Sequence, residues 1–193
     1  MSFKKPNRMN NSVEIESDGI NVFATMSVKA KPVGIVILLI FVLFLIVAFI
    51  LIVSTFEKNE IGKLILPTLI LFILFIFLPI RYLLWNLFGK ENLIVNTKTI
   101  SYWYDYGFIR TNLKTIKYDR LATDFLSNRK ENEKEFGNLI FYNYNKDTNL
   151  PELIHQTSVY IELEKLKEID LLIQNIFENE FNDKQGFMGY SLN

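Results

Sequence analysis

Few residues in this chain are of types that do chemistry, and their spacing gives them little to work with. The single histidine, His155, lies three positions after Glu152. A general base or metal ligand needs partners, and neither an HExxH motif nor a second histidine supplies them. The 193 residues include no cysteine, so thiolate nucleophiles, thiolate metal sites and disulfides are excluded. Eight scattered glycines build no phosphate-cradling loop, since Gly186 to Gly189 precede no helix. Glu131, Glu133 and Glu135 alternate with Lys130 and Lys134. Without an Asp/Asn-Gly pattern this reads as a solvated loop rather than a calcium site. The sequence therefore assigns no catalytic, cofactor-binding or metal residue, and an unrecognised enzyme ranks last among its readings.

Arg110, Lys114, Lys117 and Arg120 form the best candidate ligand cluster. If Arg110, Lys114 and Arg120 share strand parity, all three project from one face toward membrane phosphates, which gives an anionic-lipid-sensing alternative. Asp105, Asp119 and Asp124 are interspersed, and make a solvated sheet face the first reading. Tyr102, Trp103, Tyr104 and Tyr106 belong first to a core, because alternation turns some of them inward, and second to a partner surface.

The elements that must carry these residues are set by two long apolar runs. Val33–Phe56 is uncharged over 24 residues, and Leu64–Ile80 continues past Arg81 to Phe88. A hydrocarbon slab about 30 Å thick takes roughly 20 residues at 1.5 Å each. Backbone groups in lipid must pair internally, so residues 33–56 and 64–88 are expected as two transmembrane helices. The first run is too long for a signal peptide and is expected to be retained. The connector Glu57–Lys63 holds no domain, so the helices are antiparallel neighbours. Lys29, Lys31, Arg81, Lys90 and Lys98 flank the terminal side, against Lys58 and Lys63 in the connector. Both termini are therefore expected in the cytoplasm, at the inner membrane. Arg81, Tyr82 and Trp85 read as interfacial anchors. Pro67 is placed in the first turn of the second helix, and Pro79 deeper, where it kinks the helix. No Asp, Glu or His lies in either apolar core, which removes the usual chemistry of ion or proton transport.

Flanking regions are soluble. Residues 1–12 read as disordered. Residues 13–29 form a β-hairpin turning at Asp18-Gly19 that packs beside the tail on the same side. Past Phe88 the apolar period becomes strand-like: Leu93–Val95, Ile100–Asp105, Phe108–Tyr118, Leu121–Leu126, Asn138–Tyr144 and Leu153–Gln156, with Ser127–Phe136 a charged loop. Ile161, Leu163, Leu166, Ile169, Leu172, Ile173, Ile176 and Phe177 then trace one stripe of an amphipathic helix. Strands followed by one terminal helix describe an α+β module, a curved sheet or small barrel, over residues 89–181, with 182–193 a flexible tail. Thirteen basic and sixteen acidic residues in 89–193 lack the concentrated basic face that nucleic acid requires.

The passage LLWNLFGKE into ENLIVNTKTISYWYDYGFIRTNLKTIKYDRL resembles bacterial two-helix membrane proteins with a pleckstrin-homology-like (PH-like) domain. Trp85 and Gly89-Lys90-Glu91 mark the exit from the membrane into the first strand, NLIFYNYN matches a later strand, and a helix over 162–180 closes the domain. The resemblance covers roughly residues 81–180. It implies a seven-stranded bent sandwich capped by one helix. Phosphoinositide-binding relatives of that fold concentrate cations at the first strand–strand loop, where this chain has only Lys98. The leading reading is a non-enzymatic, membrane-anchored interaction or scaffold module whose partners are the lipid bilayer and a protein.

Overall fold

The computed structural model describes residues 13–28, 30–55, 61–131 and 133–189. The expected disorder of residues 1–12, most of the connector and the last four residues of the expected tail lie outside them. The chain divides into two compact units, one of residues 29–89 and one built from the segments on either side of it.

The first unit is two helices, α1 (Pro32–Ser54) and α2 (Ile61–Phe88). At 1.5 Å per residue they are about 35 and 42 Å long, and both are long and apolar enough to cross a membrane. Pro32 opens α1, where its missing N–H leaves no intrahelical bond unmade. α1 is apolar all round: Leu39, Ile40, Leu43, Phe44 and Val47 are exposed, and Val42 is its one buried residue. Phe49 stacks on Phe72 of α2 with centroids 4.0 Å apart. Polar groups near the helix ends bond inward: Ser54 Oγ donates to Leu51 O and Asn86 Nδ2 to Tyr82 O, each at 2.7 Å. That satisfies donors without water. α2 begins earlier than the apolar run suggests, so Pro67 lies beyond its first turn, and the helix continues through Pro67 and Pro79 to Phe88. The helix signal extends N-terminally because Ile61 and Leu64 are helix-compatible, whatever the hydropathy of Lys63.

The second unit is an α+β domain with two antiparallel sheets. One has the order β1 (Val13–Ser17), β2 (Asn21–Ser27), β3 (Lys90–Asn96), β4 (Thr99–Asp105), β5 (Lys114–Lys117). The other joins β6 (Leu121–Glu131), β7 (Lys134–Tyr144) and β8 (Pro151–Gln156), with β9 (Ile161–Glu162) also on β7. The sheets do not close into a barrel. α3 (Leu163–Gly189) follows. The β1–β2 turn forms as its chemistry dictates: Gly19 takes φ +85°, and Asp18 Oδ1 accepts from the N–H groups of Ile20 and Asn21 at 2.9 and 2.6 Å.

The hairpin does more than pack beside the later strands. β2 pairs with β3 along its whole length, from Asn21↔Asn96 to Ser27↔Lys90, so α1 and α2 are inserted between two neighbouring strands of one sheet. Val22, Ala24 and Met26 from β2 share a buried face with Glu91, Leu93 and Val95 from β3 and Ile100 from β4. Leu166, Ile169, Ile173 and Ile176 of α3 are buried, the helix packing on β2, β6 and β7. Each such side chain contributes about 1.5–3 kcal/mol by burial.

Three local expectations are corrected. Ser127–Phe136 is no loop: β6 and β7 continue through it as a hairpin arm, with Lys130 opposite Glu135 and Glu131 opposite Lys134. Lys130 Nζ reaches Glu135 Oε1 across the arm at 3.5 Å, and Lys134 Nζ pairs with Glu162 of β9 at 2.7 Å; such opposite-charge neighbours favour the ladder. Phe108–Tyr118 is not one strand; only Lys114–Lys117 joins β4, and Arg110 makes a single bridge to Asp105, because Tyr106-Gly107 sends the chain round a tight turn first. α3 extends to Gly189, beyond the apolar stripe, since a nucleated helix propagates at little free-energy cost per added residue.

Candidate functional site

The strands bring together a polar cluster that the sequence keeps far apart. Glu91 follows Gly89-Lys90 at the start of β3, and strand alternation turns it to the buried face, with no exposed surface at all. Its Oε1 lies 3.0 Å from His155 Nε2 on β8. Its Oε2 accepts from the backbone N–H groups of Ser158 at 2.6 Å and Val159 at 3.3 Å. His155 stacks on Tyr102 of β4, ring centroids 4.0 Å apart, and lies against Phe141 of β7. Beside it Ser158 Oγ donates to the Tyr104 hydroxyl at 3.2 Å. Burial disfavours the phenolate of Tyr104 and raises its pKa. Behind the cluster, Asn138 Nδ2 donates to Thr157 O at 2.6 Å, and Thr157 Oγ1 accepts from Leu139 N at 3.0 Å.

This arrangement ties the two sheets together through one carboxylate. Glu91 has its oxygens engaged by a ring nitrogen and two amides, which is how a buried carboxylate avoids its desolvation penalty. The Ser158 hydroxyl points to Tyr104, so Glu91, His155 and Ser158 form no serine-type relay. Among the described residues no three His, Cys, Asp or Glu side chains gather to hold a metal. The partner of His155 is Glu91, 64 residues away, and not its sequence neighbour Glu152. The cue in the sequence was an acid at an inward-facing position of a β-rich segment; nothing local says which side chain meets it.

The three cations proposed for headgroups do not converge. Arg110 Nε pairs with Asp105 Oδ2 at 2.8 Å, beside the end of the sheet where Ser27, Lys90 and Asp105 lie in register. Lys114 Nζ lies 6.0 Å above the Tyr102 ring, within cation–π range. Arg120 sits past β5 near the opposite strand end. Its guanidinium donates to Asn149 Oδ1, and the preceding Tyr118 N donates to Lys98 O in the β3–β4 turn. The seven residues of β4 span about 20 Å; Arg110 lies at its Asp105 end, Lys114 opposite Tyr102 at its middle, and Arg120 beyond its other end. The strand parity that would align all three does not arise, because they occupy three separate segments. Arg81, Tyr82 and Trp85 fall in the last two turns of α2, with Tyr82 exposed.

At the Arg120 end, a cleft of about 480 Å³ is bounded by Gly19, Ile20, Asn96–Thr99 and, from α3, Ile176, Asn179 and Glu180. Among the described residues that line it, Lys98 carries a positive charge and Glu180 a negative one. An anionic ligand would meet both signs there. Comparison with protein-family models, with curated proteins and with solved structures yields no match.

Proposed function

We propose that this chain is a non-enzymatic interaction module fixed in a bilayer. α1 and α2 cross the bacterial inner membrane as an antiparallel hairpin, with both chain ends in the cytoplasm. The α+β domain, PH-like in its pair of antiparallel sheets and terminal helix, presents a surface to a protein partner. One observation carries this reading: two lipid-length helices interrupt a single sheet between hydrogen-bonded neighbours, with four residues before α1 and Gly89 alone after α2. Such short links suit a domain held at a membrane surface. The helices expose large apolar side chains along most of their length, which a soluble monomer does not do. The buried pair of Glu91 and His155, whose side chains are 0% and 4% exposed and already bonded, fits a role in holding the domain together.

The test exploits the absence of cysteine. Single replacements Thr148→Cys in the domain and Asn59→Cys in the connector are treated with a membrane-impermeant maleimide. Inverted vesicles should label position 148 and right-side-out vesicles position 59. Labelling of both from one side would mean that the helices do not cross. Intact protein in mild detergent should then retain one reproducible protein partner; recovery of none across several detergents overturns the interaction role.

A further inference from the structure

The link between β4 and β5 is a second element with the composition of a membrane contact. It turns tightly: Gly107 adopts φ +89°, its N–H donates to Asp105 Oδ1 at 2.7 Å, and Tyr106 N donates to Ile109 O at 2.8 Å. Thr111 closes the base, its N–H donating to Tyr104 O and its Oγ1 accepting from Tyr104 N, both at 2.9 Å. This framework holds apolar side chains outward. Phe108 is 83%, Ile109 60% and Leu113 58% exposed, while Arg110 and Lys114 stand next to them in sequence. A large aromatic and two aliphatics on a hydrogen-bonded turn, rimmed by cations, have the makeup of a segment seated at the boundary of headgroups and acyl chains.

Its place in the sheet says what covers it. The turn follows Asp105, which is in register with Lys90, and Lys90 with Ser27. Those two residues are where the sheet connects to α1 and α2. The opposite strand ends carry the turns Asp18–Ile20 and Asn96–Thr99, which are polar apart from Ile20. The apolar tip therefore belongs to the end of the sheet from which the chain leaves for its lipid-length helices.

We propose that residues 106–113 are a membrane-inserting loop: Phe108, Ile109 and Leu113 enter the acyl boundary, and Arg110, at the Asp105 end of the sheet, meets anionic headgroups. The inference rests on the reading that α1 and α2 span a bilayer. The loop adds a third attachment and fixes which end of the domain meets the membrane.

Full-length single-cysteine variants Phe108→Cys, Leu113→Cys, Leu150→Cys and Phe44→Cys, each carrying an environment-sensitive fluorophore, test it in vesicles of phosphatidylcholine and phosphatidylglycerol. Lipids with a nitroxide high on the acyl chain serve as quencher for positions 108, 113 and 150, and lipids with a nitroxide near the chain end for position 44, the middle of α1. Labels at 108 and 113 should emit at shorter wavelength than the label at 150 and lose intensity to the nitroxide, while the label at 150, a residue 63% exposed in another turn, keeps its intensity. If the label at 44 is quenched but those at 108 and 113 behave like 150, the loop proposal is wrong and the anchor stands. Blue-shifted labels at 108 and 113 without quenching mean a protein contact between copies, and also overturn it. An unquenched label at 44 removes the membrane-spanning reading and the loop proposal with it.

Discussion

Glu91 decides more than any other side chain how the two sheets meet. Its Oε1 lies 3.0 Å from His155 Nε2 and its Oε2 accepts from the amides of Ser158 and Val159, so truncating it takes the partner from a buried imidazole nitrogen and from two amides. Breaking a buried pair in this way costs about 3–5 kcal/mol. Glu91→Ala should lower the thermal unfolding midpoint of the domain, followed by near-ultraviolet dichroism of its stacked aromatics. Glu91→Gln keeps one acceptor oxygen and should cost less, about 1–3 kcal/mol. An alanine variant as stable as the parent would mean the cluster contributes nothing to cohesion. Neither partner identified the other in the sequence. A carboxylate on an inward strand position and a histidine 64 residues later are joined by sheet-to-sheet packing alone, which no local periodicity encodes.

Elements were more legible than contacts. The period-2 runs around Ile94 and Tyr102, the Asp18-Gly19 turn and the stripe from Leu166 to Ile176 all announce their structure, because each buries one face against the rest of the domain. Where charge alternated, in Lys130–Glu135, polarity concealed a hairpin arm whose stabilisation is cross-strand pairing and not burial. α3 does further work through Tyr118: that ring lies 6.5 Å from Phe177, and its hydroxyl donates to Asn96 O. Burial, and secondarily the charge of Glu180 on the same helix, pushes the Tyr118 phenol well above its usual pKa. Above pH about 10, an unfolded tyrosine releases its proton while the folded one keeps it, so this contribution is complete below that pH and is lost as pH rises through the folded value. Among nine tyrosines, Tyr118 should ionise late. Tyr118→Phe should remove a late step from the tyrosinate absorbance titration; loss of an early step instead would show the phenol is not held by α3.

At the scale of the whole molecule, the decisive fact is the order of segments. A boundary drawn at residue 89 leaves out β2, whose Val22, Ala24 and Met26 complete the buried face. Residues 89–193 alone should therefore aggregate, whereas residues 13–27 joined to 90–193 by a short turn, with the helices removed, should give a soluble β-rich monomer by size-exclusion and circular dichroism. Equal solubility of both forms would mean β2 is dispensable. The inserted helices also impose a schedule on synthesis. β1 and β2 leave the ribosome before the helices and wait while residues 28–89 are made, roughly 3–12 s at about 5–20 residues per second. Until β3 is made, β2 lacks the neighbour with which it pairs along its whole length. Where the helices enter a bilayer, β3 reaches β2 only after both have threaded and returned to the starting side, so completion of the sheet becomes a readout of correct insertion.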